Sequence, residues 1–235
     1  MTKPIIICVE GNIGSGKSTM VNYLAEHFTN FINTHYKNNN NKKYKVAYLV
    51  EPVDEWTKYK NSDNNNILEL FYNDKDKYSF SFQMIILHSR ITQLQNAIDN
   101  GYDIIISERS ILSSYKVFIK MLIDNNNMNT IEHQIYNKWF NLYENTIKDI
   151  NIVYIKTSPE ICGLRIGKRN REGESNILLS YLKNCHYYHE IWINTQVDQK
   201  KLYVINGNID TEKSIVFDNS YYINIMNSIF KNFIL

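Results

Sequence analysis

Eight consecutive residues, Gly11-Asn12-Ile13-Gly14-Ser15-Gly16-Lys17-Ser18, carry the most specific chemistry in the chain, with Thr19 next. They fit Gly-x-x-x-x-Gly-Lys-Ser and stand between a short apolar run and a helical pattern, the context this spacing needs. Glycines let the backbone curl until its N–H groups converge on an anion, and the following helix N-terminus adds partial positive charge there. Lys17 is a point charge suited to β- and γ-phosphate oxygens, and the Ser18 hydroxyl is suited to Mg2+. The loop reads as a cradle for a nucleoside triphosphate.

Further charges fall where apolar runs stop. Glu51 directly follows residues 46–50 and is kept extended by Pro52. Glu108 and Arg109 follow Ile104-Ile105-Ile106-Ser107 in the same way. One acid can serve a metal while another accepts a proton, although each alone also reads as a solvated strand end. Arg165, Lys168 and Arg169 share one helical face, with Arg171 and the polar segment 172–176 beyond. That is a cationic flap over a triphosphate or, taken alone, a solvated face. A loose phosphoryl transition state needs such spread positive charge. Gln83 and Arg90 are seven apart on one helical face with Ile86 between them. The Gln83 amide offers a donor and an acceptor to a base edge, and Phe82, Tyr72 and Trp56 offer flat walls. Aromatic residues at helical spacing also serve as plain core.

The elements that must position these residues are short strands alternating with longer helices. Apolar, β-branched runs at 5–9, 46–50, 103–107, 152–155 and 202–205 read as buried strands. Helical patterns cover 17–28, 78–99, 111–123, 131–147, 159–169, 177–195 and 213–230. This order predicts an α/β fold: a doubly wound, parallel, five-stranded sheet with helices on both faces. Ligands gather outside the carboxyl ends of such strands. Asparagine tracts at 38–41, 64–66 and 125–127 read as surface turns.

Bulk properties narrow the setting. A chain of 235 residues that is 43% hydrophobic supports one core, so 1–235 is expected to be a single domain. With 26 basic against 24 acidic residues there is no field to hold a polyanion, and no nucleic-acid partner is expected. Cys8, Cys162 and Cys185 are odd in number and far apart, which fits a reducing, cytoplasmic setting. No apolar stretch is long enough to span a membrane. Cys185 and His189 stand one helical turn apart, but no further ligand pair accompanies them, so no structural metal is expected.

Taken together the motifs resemble the deoxynucleoside kinase family, which includes deoxycytidine, deoxyguanosine and mitochondrial thymidine kinases and the insect broad-specificity enzyme. The matching pieces are Cys8-Val9-Glu10 with the loop through Thr19, Glu51-Pro52-Val53 with Trp56, Tyr78-Ser79-Phe80-Ser81-Phe82-Gln83, Ser89-Arg90, Glu108-Arg109-Ser110, the run from Arg165 to Arg171, and Tyr181-Leu182 before His186-Tyr187. The resemblance implies ATP-dependent phosphorylation of a deoxynucleoside 5′-hydroxyl, with an arginine-rich lid at about 168–176. Glu51 would be the general base, Arg109 would hold the 5′-oxygen and the incoming phosphate, and Lys17 the triphosphate. Gly11 to Thr19 with Arg165, Arg169 and Arg171 would bind ATP, and Ser18 and Glu108 would serve Mg2+, directly or through water. Tyr72 and Glu174 would grip the sugar 3′-hydroxyl and disfavour a ribose. Trp56, Leu68, Phe71, Phe82, Gln83, Ile86, Arg90, Ser114 and Phe118 would line the nucleoside site.

A homodimer through the helices of 111–147 is also implied. One departure stands out: family members that prefer deoxycytidine or purines pair the arginine matching Arg90 with an aspartate, and this chain has Ser114 there. Arg90 is thus expected to lack that partner, and base preference does not carry over. The rival readings are a nucleoside monophosphate kinase, which shares the loop and flap, and a nucleotide-dependent switch, against which no Asn-Lys-x-Asp is present.

Overall fold

Side chains along β1 (Ile5–Glu10) alternate between two cores, Ile6 and Cys8 entering one, Ile7 and Val9 the other. A strand covered on both faces needs such an unbroken apolar run. The same holds in β3 (Ile104–Glu108) and β4 (Ile150–Lys156), which flank it, while β2 (Val46–Leu49) and β5 (Leu202–Asn206) form the edges. All pairings are parallel in the order β2-β3-β1-β4-β5, with Val9 opposite Glu108 and Glu10 opposite Tyr154. The expected five-stranded parallel sheet is present. The structure is a computed structural model that describes residues 3–36, 43–171, 174, 177–209 and 220–235.

One face of the sheet is covered by α1 (Lys17–His35) and, packed beside it, α11 (Ser220–Phe233). On the other face lie α2 (Val53–Trp56), α3 (Ile67–Asn73), α4 (Lys75–Asp99), α5 (Ile111–Ser113), α6 (Lys120–Asp124), α7 (Thr130–Asn141) and α8 (Glu144–Ile147). After β4 come α9 (Pro159–Arg169) and α10 (Leu179–Gln196), the latter adding Trp192 and Ile193 to that second core. From β1 the chain crosses to the edge strand β2 and returns to β3 on that side, then passes β1 to reach β4 on the other, so a crevice opens at the carboxyl end of β1, where the glycine loop stands.

Several boundaries differ from the sequence patterns. The pattern at 111–123 is not one α-helix: α5 passes through a π-helical segment (Ser114–Ile119) into α6. Such segments insert an extra residue per turn and often mark functional sites. The 131–147 pattern breaks between α7 and α8; the apolar period hides the break because Phe140 and Ile147 enter the same core. Helix α1 runs beyond 28 to His35 because Ile32 continues its buried face. The short α2 and α3 carry no long period and were not anticipated, yet α3 opens on a capping box between Asn66 and Glu69. Asn64 and Asn126 adopt left-handed backbone, as expected of turn asparagines. The 38–41 tract, the start of the 213–230 pattern, and 172, 173, 175 and 176 of the flap lie outside the described residues.

Candidate active site

The glycine loop is held by backbone geometry that residues with a Cβ rarely adopt. Gly14 and Gly16 have φ values of 75° and 103°, and a Cβ on Gly14 would meet the Cys162 carbonyl at 2.6 Å. Helix α1 begins at Lys17 with no side-chain cap, so its first N–H groups remain for an anion. Asn12 does not face the cavity: its amide donates to the Leu182 carbonyl at 2.8 Å and its oxygen accepts from Ile13 N–H at 2.8 Å. Gly11, at the start of the loop, does not line the cavity either; a Cβ there would meet the Ile155 carbonyl at 2.6 Å. Both are expected among the nucleotide-binding residues; neither is among those that line the cavity. The Ser15 carbonyl is gripped from outside by Thr157 Oγ1 and Arg165 Nη1, each at 3.1 Å.

Lys17 Nζ donates to the Asn12 carbonyl at 2.7 Å. Burial, reinforced by the Arg109 charge, brings its pKa down to about 8. Ser18 Oγ donates to Glu108 Oε1 at 2.8 Å, so a hydroxyl and a carboxylate oxygen converge beside the loop. Two such hard donors with phosphate oxygens and water suit Mg2+.

Glu51 enters the same space from the end of β2. Its Oε1 accepts from Arg90 Nη2 at 2.7 Å and lies 3.8 Å from Arg109 Nε, while Arg90 Nη1 donates to the Glu108 carbonyl at 2.6 Å. Burial pushes the Glu51 carboxyl up, but Arg90 and Arg109 outweigh it and its pKa falls below the ordinary value. Arg90 is therefore not left without a carboxylate: lacking an aspartate at Ser114, it holds Glu51. Arg109 sits in left-handed backbone, φ 64°, with its N–H bonded to the Val9 carbonyl at 2.9 Å. That turn is braced by Glu10, whose Oε1 accepts from Ser110 N–H at 2.6 Å. Burial raises the Glu10 pKa. No role for Glu10 was visible beforehand, although an acid closing β1 beside the loop was the available signal.

Beyond Glu51 the walls become aromatic. Trp56 and Phe82 meet edge to face at 5.7 Å, Phe71 tilts against Phe82 at 4.9 Å, and Trp56 Nε1 is fixed by Ser89 Oγ at 2.9 Å. Gln83 is 2% exposed, and its Oε1 has no partner among the described residues. Tyr72 meets Tyr181, an aromatic that the motifs did not mark as lining, edge to face at 6.0 Å; burial and Glu174 push its phenol up. Leu68, Ile86, Ser114 and Phe118 complete this end. The flap arginines are not free charges: Arg169 binds Glu174 through two bonds of 2.8 and 2.7 Å, and Arg171 reaches it at 3.3 Å. Glu174 is itself 6% exposed and lines the cavity.

One cavity of about 940 Å3 joins both ends, so Lys17, Glu51 and Gln83 face a common space. Its outer end, past the loop, is lined by Asn206 to Ile209 and by Tyr221 and Tyr222, which sequence motifs did not mark. Among the described residues no helix is long and apolar enough to cross a membrane, and no group of three metal-ligating side chains is present.

A family model described as deoxynucleoside kinase matches residues 7–235. The chain is 29% identical to deoxycytidine kinase 2 of Gallus gallus, over 80% of this chain and 73% of that protein. A probable deoxycytidine kinase of Fowlpox virus is 31% identical, over 80% of this chain and 71% of that protein. The mitochondrial thymidine kinase 2 of Homo sapiens is 32% identical, over 81% of this chain and 65% of that protein.

Proposed function

Since the chain belongs to the deoxynucleoside kinase family and phosphorylates a deoxynucleoside from a nucleoside triphosphate, we propose that ATP on the glycine loop is the donor and that Glu51 is the general base. The observation that carries this reading is the shared cavity in which Lys17, Glu51 and Gln83 meet. The lowered pKa keeps Glu51 ionised at neutral pH, ready to accept the proton of a 5′-hydroxyl. Transfer is direct and in line, without a phosphoenzyme: as the proton leaves, the 5′-oxygen meets the γ-phosphoryl group. Arg109 holds that oxygen and the incoming group, while Lys17, Arg165, Arg169 and Arg171 balance the triphosphate. Ser18 and Glu108 would hold Mg2+, directly or through water, and the ion would supply positive charge against the phosphate oxygens.

Gln83 pairs with the base edge, the aromatic walls stack on the ring, and Tyr72 with Glu174 grips the 3′-hydroxyl. In the described state Glu174 neutralises Arg169 and Arg171, so sugar binding and delivery of those arginines to the triphosphate compete for one carboxylate. This supports a lid at 168–176 within a single domain over 1–235. A homodimer fits the exposed face of α7, where Ile131 and Trp139 are 69% and 50% exposed. A cytoplasmic setting fits cysteines that are all free and buried. The test is Glu51→Gln, which should abolish turnover while ATP still binds in a titration; undiminished turnover refutes the assigned base.

A further inference from the structure

His189 lies on α10, fully buried behind the catalytic turn. Its Nδ1 is 2.6 Å from the Cys185 carbonyl oxygen, which can only accept. Its Nε2 is 3.3 Å from Arg109 Nη1, which can only donate. One species satisfies both partners: a neutral ring with its proton on Nδ1 and a lone pair on Nε2. Burial, then the Arg109, Lys17 and His186 charges, hold the imidazole well below the usual histidine range, in line with that geometry. The ring is flanked by Tyr154, nearly parallel with centroids 6.3 Å apart, and by Phe118, edge to face at 6.2 Å. Tyr154 is fixed in turn by Glu190 at 2.8 Å.

The same guanidinium lies 4.9 Å over the Phe118 ring and 3.8 Å from Glu51. Two acceptors thus compete for Arg109: the imidazole behind it and the carboxylate in front. Remove the imidazole and the guanidinium is free to close onto Glu51, tying up the base that must receive a proton. A buried donor would also be left unmatched.

We propose that His189 is a positioning residue, a neutral imidazole that accepts from Arg109 and holds the guanidinium off Glu51, aimed at the place where the 5′-oxygen and the phosphoryl group meet. This rests on the role given to Arg109 above. A histidine serving only as packing would leave turnover per folded molecule unchanged when replaced by another ring.

The experiment compares His189→Phe, His189→Gln and Arg109→Met in the full chain, measuring kcat, nucleoside KM and thermal midpoint. His189→Phe should lower kcat about 10²-fold, the scale of a misplaced catalytic group, with KM changed less than about threefold. His189→Gln keeps an acceptor and a donor and should recover about tenfold of that loss. In the unaltered protein, long-range 1H–15N spectra should show the proton on Nδ1. Wild-type kcat in folded His189→Phe, equal losses in both histidine variants, or a proton on Nε2 overturns the proposal. Should His189→Phe not fold, the Gln variant's kcat, expected within about tenfold of wild type, and the spectrum decide. Activity in Arg109→Met removes the reading of Arg109 and the proposal together, whereas loss there beside an unimpaired His189→Phe overturns the proposal alone.

Discussion

The two ends of the cavity achieve binding in opposite ways. At the triphosphate end eight consecutive residues form a backbone cradle, and errors there are steric, as the 2.6 Å contact awaiting any Cβ on Gly14 illustrates. The nucleoside end is assembled from α2, α3, α4, the π-helical segment and the flap, and it works through buried side chains. Gln83 Oε1 and Arg90 Nε are buried there without partners among the described residues. Orphaned groups of this kind cost roughly 1–3 kcal/mol each. On the proposed reading, the loop's N–H groups receive an anion and Gln83 a base edge. Pre-organisation is local at one end and tertiary at the other.

Breaking the local end should have the largest effect. Lys17→Met removes a charge that the surrounding structure already keeps buried and aimed into the cavity, 5% exposed. Turnover should fall about 10³-fold or more, while deoxynucleoside binding persists. Steady-state kinetics with nucleoside titration by calorimetry checks this. Equal loss of nucleoside binding would mean that the two ends are not separable.

The tertiary end should fail more gently. Gln83→Leu leaves a base edge unpaired, so kcat/KM for the nucleoside should drop about 10²-fold with ATP affinity unchanged. Because Oε1 has no protein partner, the thermal midpoint should hold or rise. A lower midpoint with intact kinetics would make Gln83 a structural residue and erase the contrast between the ends.

The same contrast explains what could be read beforehand. The five strands were legible because both faces of the sheet are buried, which forces unbroken apolar runs. The loop was legible because its function depends on contiguous residues. Helix α3 was not, since its seven residues are too few for a period and its start rests on one capping box. The π-helical segment was hidden because it keeps apolar composition while changing only the turn. At the site, nearly every residue carried over by resemblance does line the cavity, yet its partner was unreadable. That Arg90 holds Glu51, that Glu174 holds two arginines, and that His189 backs Arg109 are contacts across 39, 5 or fewer, and 80 residues. Only the fold decides which acceptor a guanidinium meets.

The finest test asks whether Arg90 serves the nucleobase or the Glu51 carboxylate. With serine at 114, Arg90 is the larger of the charges lowering the Glu51 pKa. Activity that needs ionised Glu51 is therefore retained until pH falls through a value below the ordinary glutamate pKa, which appears as the acid limb of kcat/KM. Ser114→Asp supplies a competing carboxylate, so Arg90 should leave Glu51, which also gains a like charge nearby. The acid limb should then move up by about one pH unit, with a change of roughly tenfold or less at neutral pH. Linkage sets the sign for stability: a depressed folded pKa stabilises above the unfolded value, and that share is lost as pH falls through the folded one. Ser114→Asp should thus transfer that share from Glu51 to the new carboxylate, so the acid limb of activity moves while the loss of stability on acidification changes by at most about 1 kcal/mol, given that Glu51 is 22% exposed. An unmoved acid limb together with altered choice between thymidine and deoxycytidine would return Arg90 to the base, and the nucleoside end would then be read by two polar side chains instead of by Gln83 alone.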